Sequence, residues 1–288
     1  MRPSYLTSPI LRSFIASALA EDIGEGDHST NGAVLETAMA KGSLLVKGNG
    51  VVAGLELAEK IFEQFDSTLQ MESFKKDGDE VVKGDIVFVV SGRARSILTT
   101  ERLVLNCMQR MSGIATYTRK LHKLIEGTKA VLMDTRKTTP NFRMLEKWAV
   151  TIGGGVNHRI GLYDMVMLKD NHIDMAGSIR KAIENTNQYL QQTLKKPRIE
   201  VETRNLREVQ EVMEVGGVDI IMLDNMSIED MRSAVKIIHG KYRTEASGGI
   251  TEATLHAIAD CGVDYVSVGA LTHSVSSMDL SLKVIQAK

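Results

Sequence analysis

The stretch RIEVETRNLREVQEVMEVGGVDIIMLD, residues 198–224, decides the fold of the second half of this chain. Its two ends, 198–203 and 218–224, are apolar runs of strand length. Between them, a stripe of apolar residues recurs at helical spacing, and it consists of Leu206, Val209, Val212 and Met213. A strand, a helix and a second strand in succession predict a βαβ unit with two parallel strands.

The same alternation extends in both directions from this unit. Helix start signals at Ser227 and Thr251 precede further apolar stripes. Six strands within about 140 residues fall short of a closed eightfold barrel, which usually takes about 250 residues. We therefore predict an open, incomplete α/β barrel. Its predicted strands are 130–134, 163–168, 198–203, 218–224, 242–247 and 263–269.

The first part of the chain has a different pattern. Short alternating runs punctuated by glycines predict an α+β domain with a small antiparallel sheet, and residues 97–111 predict a helix leading into the barrel. We expect an N-terminal domain at 1–112, a catalytic barrel at 113–270 and a C-terminal segment at 271–288.

Composition excludes several classes of protein. The 288 residues carry a net charge of -1, with 43% hydrophobic and 25% charged residues, which is typical of a soluble globular protein. A nucleic-acid-binding domain would be basic, and no apolar run reaches the roughly 20 residues that span a bilayer. Cys107 and Cys261 lack metal-type spacing. We expect a reduced, cytoplasmic protein that binds neither nucleic acid nor membrane.

Cations, carboxylates and glycine turns follow the predicted strands, where α/β folds bind their ligands. Such cations suit a small polyanion, and two carboxylates beside them suit Mg²⁺. Glycine turns facing helix N-termini often hold phosphate. The residues are Arg136, Lys137, Lys169, Glu202, Asp224, Ser247, Gly248, Gly249, Gly269 and Ala270.

Each of these signals has a plainer interpretation. Glu202 and Asp224 also fit ordinary strand-end carboxylates, and His172 and His273 fit surface or helix-capping histidines. The pair 158–159 precedes the second strand, which in a simple barrel places it at the opposite rim unless the neighbouring glycines fold it back.

Short motifs along nearly the whole chain resemble those of the quinolinate phosphoribosyltransferase family, the nicotinate-nucleotide pyrophosphorylases of NAD biosynthesis. Their shared order makes the resemblance specific. The motifs are EDIGEGD (21–27), ERLVLN (101–106), SGIAT (112–116), DTRKT (134–138), NHR (157–159), KDNH (169–172), LDN (223–225) and SGGI (247–250).

The resemblance implies a fold, a reaction and a role for each matching residue. The fold is an N-terminal α/β sandwich and an open α/β barrel, with 271–288 returning to the first domain. The reaction converts quinolinate and phosphoribosyl pyrophosphate to nicotinate mononucleotide, pyrophosphate and CO₂. The quinolinate carboxylates would be held by Arg136, His158, Arg159 and Lys169, with Arg102 supplied by a neighbouring subunit of a homodimer or larger homo-oligomer.

The same resemblance implies a phosphoribosyl pyrophosphate site, with Glu202 and Asp224 holding Mg²⁺ directly or through water. Lys137, Lys169, Glu202 and Asp224 would be the catalytic residues. The site comprises Lys137, Glu202, Asp224, Ser247, Gly248, Gly249 and Gly269, and we add the adjoining Ala270 and His273.

Three other functions remain open at this point. A paralogous phosphoribosyltransferase associated with molybdenum transport has the same fold and an unknown acceptor. An aldolase-like lyase would use Lys169 as a Schiff-base amine. Residues 75–92 also resemble the turn-rich rhythm of biotinyl and lipoyl carrier domains.

Overall fold

The structure, a computed structural model, describes residues 2–287. Its helices are α1 (Ser8–Ile23), α2 (His28–Ala33), α3 (Leu55–Phe65), α4 (Ala94–Leu124), α5 (Arg143–Gly153), α6 (Asp170–Ala176), α7 (Ile179–Thr193), α8 (Leu206–Val215), α9 (Ile228–Ile238), α10 (Glu252–Ala259) and α11 (Ala270–His273). Its strands are β1 (Met39–Val46), β2 (Gly50–Val51), β3 (Gln70–Ser73), β4 (Glu80–Val81), β5 (Ile86–Arg93), β6 (Val131–Met133), β7 (Met165–Leu168), β8 (Arg198–Thr203), β9 (Ile220–Asp224), β10 (Arg243–Ser247), β11 (Tyr265–Ser267) and β12 (Leu280–Ala287).

The chain divides into two compact units. Of the described residues, the first unit takes those within Met1–Arg119, Thr138–Gly154 and Leu271–Lys288. The second takes Lys120–Lys137 and Gly155–Ala270. The domain boundaries at 112 and 270 remain predictions.

The first unit contains an antiparallel sheet in the order β12-β1-β5-β3 and a short β2–β4 ladder. Its core includes Phe62 of α3 and Phe88 of β5, whose rings meet edge to face at 6.0 Å. At the start of α3, the Asp77 carboxylate accepts the N–H groups of Gly54 and Leu55 at 2.7 and 2.9 Å, which caps the helix. This is the α+β architecture that the alternating pattern predicted.

The second unit contains one parallel sheet in the order β6-β11-β10-β9-β8-β7. β6 and β7 lie at opposite edges of this sheet, so across residues 2–287 the strands do not close into a barrel. All six strands lie within their predicted ranges, and the prediction of an open α/β barrel is confirmed. Apolar strands of three to six residues alternate with helices such as α8 and α9, which bury one apolar stripe, and this explains why periodicity located the strands.

The starts of α9 and α10 were predicted correctly, and the extent of α4 was not. Ser227 accepts the N–H of Asp230 at the start of α9, and Thr251 forms a capping box on α10. The helix predicted at 97–111 begins at Ala94 and continues to Leu124. No helix in the described part of the chain is both long enough and apolar enough to cross a membrane.

Candidate active site

The predicted site residues of the second unit lie at or just beyond the carboxyl ends of its strands. Lys169 follows β7 and is the N-cap of α6, and Glu202 lies near the end of β8. Asp224 and Ser247 end β9 and β10, and they are register partners. Because these strands are parallel, their carboxyl ends share one rim, as the sequence predicted.

Strand register explains which side chains point the same way. Glu202 pairs with Met222, and Glu200 pairs with Ile220. Met222 and Ile220 belong to a buried cluster that also contains Met165 and Met167 of β7. Since side chains two apart in a strand share a face, both glutamates project on the side of this cluster.

Glu202 lies in an electrostatic environment suited to a cation. Its Oε2 lies 3.4 Å from Lys169 Nζ, and the glutamate side chain is 9% exposed. Burial raises the pKa of the Glu202 carboxyl, Lys169 lowers it, and the nearby charge of Asp224 raises it again. A bound divalent ion would stabilise the Glu202 carboxylate, whose charge is disfavoured by burial and by its neighbour.

The segment before β7 reaches the rim by acting as a short extra strand. Val156 forms a parallel bridge with Met133 of β6. The N–H of Val156 donates to the carbonyl of Leu132 at 2.9 Å. His158 and Arg159 therefore emerge beside the carboxyl end of β6, at the rim that the resemblance requires.

Asp134 anchors this segment. Its buried carboxylate accepts the backbone N–H of His158 at 2.9 Å and the side-chain amide of Asn157 at 2.6 Å. The N–H of Asp134 donates to the carbonyl of Val156 at 3.3 Å. These bonds hold the start of the His158–Arg159 pair against the end of β6.

Arg159 is a buried cation, with 9% of its surface exposed. Its Nη1 donates to the carbonyl of Met165 at 3.3 Å. Burial lowers the pKa of the guanidinium, and the neighbouring charge of Arg136 lowers it further. Two guanidinium groups that repel each other in a partly desolvated position favour an anionic ligand.

His158 lies in a buried cluster with two glutamates. Its Nε2 is 2.9 Å from Glu200 Oε2 and 3.3 Å from Glu245 Oε2, and both glutamates are fully buried. Burial lowers the pKa of His158, but the hydrogen bond to Glu200 and the nearby carboxylate of Glu245 outweigh it and raise that pKa to about 9. Burial and the charge of Glu245 raise the pKa of Glu200 to about 7. The protonation of His158 is therefore linked to that of Glu200.

The other ring nitrogen of His158 is also engaged, because Nδ1 accepts the backbone N–H of Arg159 at 2.7 Å. A ligand carboxylate can bond to this ring only by replacing one of its present partners. Protonation of Nδ1 would break its hydrogen bond with the Arg159 N–H. The loss of that bond opposes the rise in the His158 pKa.

The glycine turn after β10 has a backbone that few other residues adopt. Gly248 and Gly249 have φ angles of 91° and 59°. Such left-handed conformations are accessible to glycine at little cost and leave backbone N–H groups able to face a ligand.

Comparison with known proteins agrees with this geometry. The chain matches the family model described as quinolinate phosphoribosyl transferase, N-terminal domain, over residues 27–112. The model for the C-terminal domain of the same family matches residues 114–283. The chain belongs to the quinolinate phosphoribosyl transferase family.

Individual relatives support the assignment. Quinolinate phosphoribosyltransferase (decarboxylating) 1b of Nicotiana tabacum is 45% identical over 95% of this chain and 82% of its own length. The probable nicotinate-nucleotide pyrophosphorylase (carboxylating) of Synechocystis is 44% identical over 96% and 93%. Among solved structures, NadC from Streptococcus pyogenes has a TM-score of 0.91 and 41% identity, covering 98% of each chain. The nicotinate-nucleotide pyrophosphorylase from Francisella tularensis has a TM-score of 0.89 and 39% identity, covering 96% and 97%.

Other residues implied by the family resemblance have simpler surroundings. Lys137 is exposed, and its N–H donates to Thr135 Oγ1 at 3.0 Å. Gly269 lies two residues beyond β11, and Ala270 begins α11. Arg102 is exposed on α4, in the first unit. The second unit by itself therefore does not contain the arginine that the resemblance assigns to a neighbouring subunit.

The two uncertain histidines have local partners. His172 Nδ1 accepts the N–H of Lys169 at 3.0 Å, so it caps α6, and the capping interpretation is confirmed. His273 Nδ1 lies 2.6 Å from the hydroxyl of Ser274. A substrate contact by His273 remains a prediction.

Sequence reasoning missed Asp134, Glu200 and Glu245 as site residues. A signal for the glutamates exists, since each is an acidic residue inside a strand rather than at its end. Charged side chains are rarely buried without a partner, so a glutamate in a buried strand predicts a nearby cation or proton donor.

Proposed function

We propose that this protein transfers the phosphoribosyl group of phosphoribosyl pyrophosphate to quinolinate, forming nicotinate mononucleotide, pyrophosphate and CO₂ in NAD biosynthesis. The observation that carries the proposal is the buried Arg159 beside the charge of Arg136, on the same rim as Glu202 and Asp224. The cations of this rim can bind a small dianion, and its carboxylates can bind the metal ion that accompanies a pyrophosphate group. Family membership supports it over the lyase and carrier alternatives.

The acceptor end of the site consists of Arg136, Arg159 and Lys169, which bind the two carboxylates of quinolinate. His158 supports this end of the site without binding the ligand directly. Its ring accepts the backbone N–H of Arg159 and donates toward the buried glutamates. A planar dianion needs opposed guanidinium and ammonium groups more than it needs aromatic surface.

The donor end consists of Lys137, Glu202, Asp224 and the 247–249 turn, with Gly269 and Ala270 beyond β11. The carboxylate oxygens of Glu202 and Asp224 are the hard ligands that Mg²⁺ prefers, and the raised pKa of Glu202 fits a bound cation. Mg²⁺ held there would neutralise charge on the pyrophosphate as it leaves.

The remaining chemistry requires no covalent nucleophile from the chain. The pyridine nitrogen forms a bond to ribose C1 as the bond from C1 to the pyrophosphate oxygen breaks, and Lys137 stabilises the departing charge. The quaternised ring then accepts the electron pair of the bond to the adjacent carboxylate, which leaves as CO₂. A proton from water completes the ring.

The active assembly in this proposal is a homodimer or a larger homo-oligomer, in which Arg102 of one subunit completes the quinolinate site of the next. Its exposed position on α4 is consistent with that role. The proposed location is the cytoplasm, in keeping with the two cysteines, both of which are free and buried.

The proposal is tested by incubating the protein with phosphoribosyl pyrophosphate, Mg²⁺ and quinolinate labelled in its 2-carboxylate, and measuring labelled CO₂ and nicotinate mononucleotide. Nicotinate, which lacks that carboxylate, is the matched control acceptor. A buried cation left unpaired costs about 3–5 kcal/mol, so kcat/KM for nicotinate should be lower by about a hundredfold or more. Comparable use of both acids would refute the assignment of the acceptor.

A further inference from the structure

Asn225 occupies a backbone conformation that residues with a side chain rarely adopt. Its φ angle is 52°, in the left-handed region, directly after Asp224 at the end of β9. Asparagine tolerates this region better than most residues. The left-handed backbone alone would therefore accept either asparagine or glycine at position 225. Only the contacts of the side chain give asparagine an advantage over glycine.

The backbone and the side chain of Asn225 each hold a different part of the rim. Its N–H donates to the carbonyl of Ser247, the last residue of β10, at 2.9 Å. Its side-chain Nδ2 donates to Asp224 Oδ2 at 2.7 Å. The amide therefore restrains one oxygen of the carboxylate that the proposed function assigns to the metal.

The glycine turn packs against the same amide. A Cβ at Gly248 would overlap the Oδ1, Cγ and Nδ2 atoms of Asn225, so only glycine leaves room for this side chain. A Cβ at Gly249 would lie 3.8 Å from Asn225 Oδ1. The Gly248–Gly249 turn therefore packs directly against the Asn225 amide group.

We propose that Asn225 is a positioning residue that fixes the Asp224 carboxylate and the Gly248–Gly249 turn relative to each other for binding of the pyrophosphate group. This inference rests on the proposed function and adds to it a residue that acts through two others. One amide group joins the metal-binding carboxylate to the phosphate-binding turn, so a change in Asn225 perturbs both without removing either.

Substitutions at position 225 separate the side chain from the backbone. Asn225→Gly keeps the left-handed backbone and the N–H bond to Ser247 but removes the amide. Asn225→Asp keeps the shape but replaces the donor with an oxygen that faces Asp224. The matched control is His239→Gly, because His239 at the end of α9 is also left-handed, with a φ angle of 47°.

Two readouts are compared with wild type for each variant. Calorimetry measures the binding of inorganic pyrophosphate in the presence of Mg²⁺, and steady-state kinetics measure KM for each substrate. Asn225→Gly should weaken pyrophosphate binding and raise KM for phosphoribosyl pyrophosphate by about tenfold, the equivalent of one charge-assisted hydrogen bond. KM for quinolinate should stay within about twofold. Asn225→Asp should have the larger effect, and His239→Gly should have neither.

The outcomes distinguish this inference from the proposed function. Wild-type binding by Asn225→Gly, with an unfolding temperature at or above that of wild type, would overturn the inference and leave Asn225 a turn residue. A wild-type protein that binds pyrophosphate but transfers no phosphoribosyl group would overturn the proposed function, and binding by the variants would still decide the role of Asn225. A wild-type protein that binds no pyrophosphate overturns both.

Discussion

Replacing Asp134 measures how firmly the segment that carries His158 and Arg159 is held at the rim. The carboxylate is fully buried and accepts bonds of 2.9 Å from His158 N–H and 2.6 Å from the Asn157 amide. A hydrogen bond to a charged group contributes about 1.5–3 kcal/mol, so Asp134→Ala should lower the free energy of unfolding by about 3–6 kcal/mol. Asp134→Asn retains the volume and one acceptor oxygen, and it should cost about half as much.

Two assays measure the loss of these hydrogen bonds, one through global stability and one through local backbone protection. Thermal unfolding should show Asp134→Ala melting at least about 6 °C below wild type, with Asp134→Asn between the two. Hydrogen exchange should be faster for a peptide covering 155–160, because the His158 N–H loses its acceptor. A peptide covering β3 provides the internal control, because that strand pairs with β5 in the sheet of the other unit.

Replacing Asp134 should affect the two substrates unequally. A loosened Arg159 should raise KM for quinolinate more than KM for phosphoribosyl pyrophosphate, because the proposed metal ligands Glu202 and Asp224 lie on β8 and β9. Asn157→Ala removes only one of the two bonds and should resemble Asp134→Asn in stability. Wild-type exchange at 155–160 in Asp134→Ala would refute the anchoring role, as would equal unfolding temperatures for the Ala and Asn variants.

Three further predictions test the metal, the assembly and the buried histidine. Replacing Glu202 by Gln together with Asp224 by Asn should weaken phosphoribosyl pyrophosphate binding more than quinolinate binding in the presence of Mg²⁺, and calorimetry showing the reverse order would reject the metal site. Arg102→Ala and Lys169→Ala proteins should each be nearly inactive, yet subunit exchange between them should restore about a quarter of wild-type activity. No recovery despite proven exchange would place Arg102 outside a shared site. The folded pKa of His158 is raised from 6.5 to about 9, so its stabilisation is complete below pH 6.5 and is lost as pH rises through 9. The free energy of unfolding of wild type relative to His158→Gln should therefore fall by up to about 3 kcal/mol over that range, and an unchanged difference would show that the ring stays neutral.

The sequence by itself determined the strands of the second unit, the starts of α9 and α10, and most of the rim. These are local properties, because burial of one helix face or strand imposes a period and a cap needs only neighbouring residues. Parallel strands bring their carboxyl ends to one edge, so Lys169, Glu202 and Asp224 could be grouped before any contact was known.

Tertiary structure alone decided the placement of the segment before β7 and the extent of α4. Val156 adds beside Met133 through backbone hydrogen bonds, which have no residue-specific signature in the sequence. Ser112-Gly113 looks like a helix end, yet α4 continues through it. Gly113 is there because a Cβ would overlap the carbonyl oxygen of Ser276. That close approach involves a segment about 160 residues away, beyond the reach of local propensity.

The buried cluster of His158, Glu200 and Glu245 shows the same limit in the site itself. Each residue comes from a different part of the chain, and none has a local pattern that names its partners. The linked protonation of His158 and Glu200 arises only when the fold removes water from both, because a buried charge depends strongly on its neighbours.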